Sequence, residues 1–301
     1  MAERHADIAA RITLVGQLQA VVTAMRGIAA ARAQHARSLL PAIDAFSRQV
    51  ADAIGRASSA AGDGGSGTGS TAESAGAPGA GREGSRRPAE AGTVLIAFCA
   101  EEGFAGAFSE RILDAATASG APRGADHLIV VGTRGIAAAH ERGLEVAASA
   151  AMPSRADEVE RLASSLVDLL VPLLAAGSSR VDVLFTRQGE DGGMEADRRS
   201  VLPLDHTAFP APSAGAAPLT TIAPAMLVER LAMEYVFAAL CRAALHAFAA
   251  ENEARLRAMA AARSNIEQRL AGLKRTERML RQAEITSEII ELTAGAEAAR
   301  G

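Results

Sequence analysis

The last eighty residues constrain this chain most. From about Leu219 to Thr293 the sequence reads as one helix. Ala, Leu, Arg, Glu and Met dominate, Gly272 is its one glycine, and Pro224 falls in the first turns, where a missing N–H costs little. At 1.5 Å per residue such a helix runs roughly 110 Å. A chain of 301 residues cannot bury a rod of that length. The rod must pair with another helix, pass through a partner, or do both. Leu227, Leu231, Ala238, Cys241, Leu245, Phe248, Met259, Ile266, Leu273, Leu280 and Ile290 follow a 3-4-3-4 spacing, the mark of a left-handed coiled coil. Glu234, Asn252, Arg255, Arg269, Thr276 and Ser287 share that seam, more polar residues than stability alone would select. Met233–Ala250 is apolar nearly all round, as expected of a helix with several neighbours; beyond Glu251 the apolar stripe is thin.

A second long helix is expected over residues 4–56. Leu14, Leu18, Val21, Met25 and Ile28 keep a 3.5-residue period, which Leu39, Ala42 and Phe46 resume. Pro41 should kink this helix, and Gly16 and Gly27 would admit close approach of another backbone. With one such helix at each end, an antiparallel pair forms if the middle folds back. Aromatic content of 3 %, with no Trp and a single Tyr, suits slim Ala-rich helices better than a thick core.

Between the helices the character changes twice. Residues 57–92 are Gly, Ser, Ala, Thr and Pro with scattered charge, a composition that cannot bury enough apolar surface to order itself, and they read as a disordered linker. Over 93–206, three β-rich runs (TVLIAF at 93–98, HLIVV at 127–131 and VDVLFT at 181–186) alternate with helical patterns at about 107–118, 134–142 and 155–175. Alternation of this kind predicts an α/β, Rossmann-like domain with a mostly parallel sheet, inserted between the terminal helices. Residues 207–218 form a loop into the final helix, 219–301.

The chemistry of catalysis is scarce. Lys274, the only lysine, follows Leu273 rather than a glycine, so there is no Walker A motif. The turn Gly103–Gly106 is not GxGxxG, and Glu101 and Glu102 beside it would repel an anion, so it reads as a plain strand-to-helix turn. The six histidines are scattered without metal-ligand spacing, and no nucleophile motif occurs. No catalytic, cofactor or metal residues are expected. Cys99 and Cys241 lie in apolar runs and predict free thiols in a reducing compartment. A net charge of −4 gives no case for nucleic acid. There is no charge-free apolar run of eighteen residues and no leader-like apolar core, so neither a membrane span nor a secretory leader is expected. Glu251, Glu253, Glu267, Glu277, Glu284, Glu288 and Glu291 alternate with arginines in the manner of a solvated, salt-bridged face.

The tail is the most specific stretch. RQAEITSEIIELTAGAEA resembles the C-terminus of the γ subunit of F-type ATP synthases, RQxxITxEIxEIxxGA, through Arg281, Gln282, Ile285, Thr286, Glu288, Ile289, Glu291 and Gly295. Glu251, Arg255, Ala258 and Met259 are similar to that family's SExxARxxAM stretch. Ala24-Met25 with Ile28-Ala29-Ala30 is similar to ITKAMxMVAAAK, and residues 101–108 to the DRGLCGxFN loop. The four matches lie in order along nearly the whole chain. Thr23 and Arg32 stand in place of Lys, Glu102 of Arg, Ala105 of Cys and Arg278 of Asn. These departures and the 57–92 insert mark a divergent branch, such as an alternate ion-translocating ATPase.

The resemblance implies a non-catalytic central shaft. Its terminal helices would form an antiparallel coiled coil inside a ring of α and β subunits, with the α/β domain at the foot beside ε and the membrane c-ring. Such a rotor would couple flow of protons or sodium ions to ATP synthesis or hydrolysis. It would lie on the cytoplasmic side of the bacterial inner membrane as part of the F1 sector. Met25, Arg281, Gln282, Thr286 and Glu288 would lie where shaft meets β subunits. Two rivals remain at this stage: a coiled-coil scaffold or adaptor, which leaves the tail unexplained, and an α/β enzyme with a nucleotide at Gly103–Gly106, which leaves both long helices unexplained.

Overall fold

The computed structural model describes residues 2–63, 92–118, 126–189, 193–204, 209 and 220–298. Most of the 57–92 insert and of the 207–218 loop therefore lies outside the described residues. Two long helices, α1 (Ala2–Asp63) and α5 (Pro224–Ala298), flank a five-stranded sheet. Helix α1 passes the expected limit at residue 56 because the Ala-rich start of the insert still favours helix. It continues through Pro41. Helix α5 starts not at Leu219 but at Pro224, whose fixed φ suits the first helical position and whose lacking N–H would have had no partner there. The chain divides into two compact units, one of Arg32–Asn252 and one of Met1–Ala31 with Glu253–Gly301.

In the larger unit the strands are β1 (Thr93–Phe98), β2 (His127–Val131), β3 (Ala148–Ala150), β4 (Arg180–Gln188) and β5 (Met194–Leu202), in the order β3-β2-β1-β4-β5. All neighbours are parallel except β4 and β5, which form an antiparallel hairpin. The crossovers run through α2 (Phe108–Ala118), α3 (Thr133–Glu141) and α4 (Val159–Ala175), the last preceded by a short 3-10 turn. Alternation along each strand decides the layering. Val94, Ile96, Phe98, Val181, Val183 and Phe185 face a core shared with α4 and with Val236–Ala249 of α5. Leu95, Ala97, Cys99, Leu128 and Val130 face the other way, onto Ile112, Leu113 and Ala116 of α2 and Ala139 of α3. The two thiols thus belong to different cores; both are free and buried.

Helix α3 sits hard against the end of β1, which demands two glycines. A Cβ on Gly132, whose φ is +104°, would lie 2.6 Å from the Cys99 carbonyl oxygen, and one on Gly135 would lie 2.0 Å from the Cys99 Cβ. Gly16 and Gly27 are different. No atom comes within 4 Å of where a Cβ would stand, so the expected close approach of a second backbone does not occur there.

Polar contacts join the two long helices within each unit. Gln19 Nε2 donates to Glu267 Oε1 at 3.4 Å in the smaller unit, and Arg242 forms an ion pair with Asp44 at 3.1 Å in the larger. Within the larger unit Leu39 lines one hollow with Leu245 and Ser47 lines another with Tyr235, so there the two helices run antiparallel. Within the smaller unit, α5 turns Met259, Ile266, Leu273 and Leu280 inward, as its spacing predicts, whereas Arg269, Ser287 and Ile290 are exposed. On α1 only Met25 of the predicted seam is half-buried within the smaller unit. Leu14, Leu18, Val21 and Ile28 are 49–58 % exposed, while Ile8, Ile12, Val15 and Val22 take the inner side. The helix carries two apolar stripes of the same period, and period alone cannot tell which of them meets α5.

Both long helices contain an eighteen-residue window long and apolar enough to cross a bilayer by length and composition. This corrects the expectation of no membrane-length segment; neither helix holds a charge-free run of eighteen residues, which is why the sequence pattern did not reveal them. Half of the α5 window is buried in the protein and none of the α1 window is, in keeping with the exposed stripe.

Candidate functional site

Two places concentrate the residues singled out by sequence. The first is the smaller unit. Near the end of α5, Arg281, Gln282, Thr286 and Glu288 are all exposed. The Thr286 hydroxyl turns back and donates to the Gln282 carbonyl at 2.8 Å, so these two share a face, while Arg281 and Glu288, seven residues apart, share an adjacent one. Ile285, Ile289, Ile290 and Leu292, between 50 % and 73 % exposed, fill the gaps. Polar and apolar side chains therefore surround the helix on every side. Met25 of α1 is half-buried and stands elsewhere. Four of the five thus lie within one stretch of α5, and Met25 lies on the other helix.

The second place is the end of β1, in the larger unit. The strand order reverses between β1 and β4, and in open α/β sheets the carboxyl ends at such a switch point are where ligands bind. Here the chain fills that point itself. Glu251 of α5, 3 % exposed, accepts hydrogen bonds from the successive backbone N–H groups of Glu101 and Glu102, each at 3.2 Å. The Glu101 carboxylate accepts from the Thr133 N–H at 2.9 Å, the Thr133 hydroxyl at 2.6 Å and the Met152 N–H at 2.9 Å, capping the start of α3. The amides of Glu101, Glu102, Thr133 and Met152 at this point hold the chain's own carboxylates. The turn Gly103–Gly106 is a strand-to-helix connection, with Phe104 at φ 63° and Gly106 at φ 62°.

Glu251 corrects the sequence reading, which placed it on a solvated face. With Asn252 and Arg255 it belongs to a run of polar residues that are 2–4 % exposed. The signal was present, since Glu251 directly follows an apolar stretch, but what packs against that stretch is not written in its neighbours. The chemistry of the rest is sparse. Burial pushes the Cys99 thiol up to about 12, helped by Glu110, and burial with Glu160 does the same for Cys241, so neither is a ready thiolate. Among the described residues, no three His, Cys, Asp or Glu side chains gather as metal ligands.

The chain, with its long terminal helices and its five-stranded sheet, has counterparts among known proteins. The family model for ATP synthase matches residues 4–299. An ATP synthase gamma chain from Beutenbergia cavernae is 30 % identical over 216 residues, which cover 68 % of this chain and 73 % of that one. One from Amoebophilus asiaticus is 31 % identical over 142 residues, about half the length of either chain (47 % and 48 %). In fold, the chain resembles one from the Euglena gracilis mitochondrial ATP synthase, with a TM-score of 0.65 over 99 % of this chain and 95 % of that one, at 11 % sequence identity.

Proposed function

Because the chain belongs to the ATP synthase gamma family and is a rotor stalk subunit, we propose that its two terminal helices are the shaft that couples ion flow to ATP synthesis or hydrolysis. The observation that carries this is the surface of the smaller unit. Leu14, Leu18, Val21 and Ile28 on α1 and Met279, Ile285, Ile289, Ile290 and Leu292 near the end of α5 are each about half exposed or more. Apolar surface of that extent on a slim rod marks a binding face. A ring of α and β subunits around the rod would cover it from all sides, which a single flat partner could not.

Rotation of such a rod transmits a signal because its sides differ. One side shows the leucine stripe of α1, another the charged residues of α5. Each site in the surrounding ring therefore meets a different surface at each angle, so that a rigid element biases several sites in turn. Met25, Arg281, Gln282, Thr286 and Glu288 are assigned contacts with β subunits, as coupling residues without chemistry of their own. The sheet domain is assigned the foot, against ε and the c-ring. The apolar windows of α1 and α5 are read as shaft rather than as membrane spans. The site of action would be the cytoplasmic side of a bacterial inner membrane, where the F1 sector is attached peripherally.

Copurification decides the assignment: the tagged chain should carry α and β subunits with it, whereas a stable homodimer without them would favour a scaffold. Within the complex, Arg281→Ala with Gln282→Ala should reduce coupled ATPase turnover more than it reduces the stability of the subunit. Unchanged turnover would remove these two residues from the coupling set.

A further inference from the structure

The loop that leaves β1 is fastened on several sides at once, all within the larger unit. From α5, the buried Glu251 spreads its two oxygens over successive amides, Oε2 on Glu101 and Oε1 on Glu102. From α1, Arg32 Nη1 reaches both carboxylate oxygens of Glu102, at 3.3 and 3.4 Å. The Glu101 carboxylate points the other way and binds the start of α3 and the segment just past β3. Residues 101 and 102 thus join both long helices to the sheet. Arg32 and Asn252 are also the two ends of this compact unit, so the fastening lies where α1 and α5 pass out of it.

Apolar packing along Val236–Phe248 attaches α5 to the sheet without a preferred direction. A carboxylate held by two amides is directional, and in a buried site water does not compete for it. The geometry points to Glu251 as a positioning residue for coupling, with the Arg32–Glu102 pair as a second fastening: together they make a turn of the sheet domain a turn of both helices, without slip. This rests on the rotor assignment and adds the path by which torque enters the rod.

The test uses the whole complex in sealed vesicles, measuring ATP hydrolysis and ion uptake per ATP hydrolysed. E251Q keeps the volume but sets an amide NH2 against a backbone N–H. It should lower uptake per ATP at least threefold, while hydrolysis by the assembled complex stays within twofold of wild type. A merely structural role would change the amount of complex, not this ratio. Arg32 and Glu102 are partly exposed, with side chains 33 % and 49 % accessible, so their exchange leaves folding intact. E102R should lower the ratio by placing like charges together, and R32E/E102R should restore it. A wild-type ratio in assembled E251Q, or a double exchange no better than E102R, overturns the fastening. Should E251Q fail to assemble, the Arg32–Glu102 series decides alone. A wild-type chain that never joins α and β subunits defeats the rotor assignment and this inference together. A pumping wild-type complex, with the ratio intact in both series, defeats only the inference.

Discussion

His246 of α5 lies nearly flat on Phe185 of β4, with ring centroids 5.6 Å apart and planes 21° apart, and Arg199 covers the same phenyl ring at 5.9 Å. Burial, then the nearby charges of Arg242 and Arg199, push the imidazole pKa down to about 4, against an opposing pull from Asp44 and Asp197. The ring is therefore neutral in the folded chain at neutral pH.

An acid-sensitivity follows from that stack. Between pH 6.5 and 4 the unfolded chain binds a proton at His246 and the folded chain does not, so stability is full above 6.5 and falls as the pH drops towards 4. Allowing for the ring's partial exposure to water, the loss is about 1–2 kcal/mol. Urea unfolding of wild type and His246→Gln at pH 7 and pH 4.5 checks this: the variant should lose that much less on acidification. Equal losses in the two proteins would refute it.

Asp182 and Arg198 tie β4 to β5 through one carboxylate oxygen, Oδ2, at 2.9 and 2.7 Å from the guanidinium. Asp182 is 4 % exposed and its other oxygen has no hydrogen-bond partner among the described residues. Arg198→Met would leave a buried charge uncompensated, and should cost about 3 kcal/mol by the usual penalty for breaking such a pair. Asp182→Asn in the same background should recover part of it, because the neutral amide no longer needs a counter-charge. Chemical denaturation of both variants would show it, and a single variant as stable as wild type would contradict it.

Two pairs of glycines should respond in opposite directions. Gly16→Ala and Gly27→Ala place a methyl in open space within α1 and should each stabilise the isolated chain by about 0.5–1 kcal/mol. Gly135→Ala drives a methyl into the Cys99 side chain and should destabilise by about 3 kcal/mol, and Gly132→Ala adds backbone strain to a clash with two carbonyl groups. Thermal melts of the four variants would test the contrast, which fails if Gly27→Ala melts below wild type.

How much of this was legible in the residues depended on what each element shows its neighbours. β1 and β2 were readable to the residue because a strand buried on both faces is a pure apolar run. β5 was missed because MEADRRSVL is a polar edge strand, and β3 because three residues carry no periodicity. The inner side of α5 was readable beyond Glu251, where one thin apolar stripe of Met259, Ile266, Leu273 and Leu280 has no rival. That of α1 was not, because two equivalent stripes compete and only the partner helix chooses between them. The buried role of Glu251 was hidden for a related reason: its amide donors come from a loop about 150 residues earlier. The tail residues Arg281, Gln282, Thr286 and Glu288 are singled out only by likeness to a family, since a short run of exposed polar groups says nothing about what surrounds it.

The uncovered leucine stripe of α1 has a consequence for the cell that makes this chain. A surplus copy has nowhere to hide those side chains and will clump or be degraded. On the proposed assembly its dosage would follow that of the ring subunits, so shared transcription or paced translation would be as much a requirement of this helix as its sequence is.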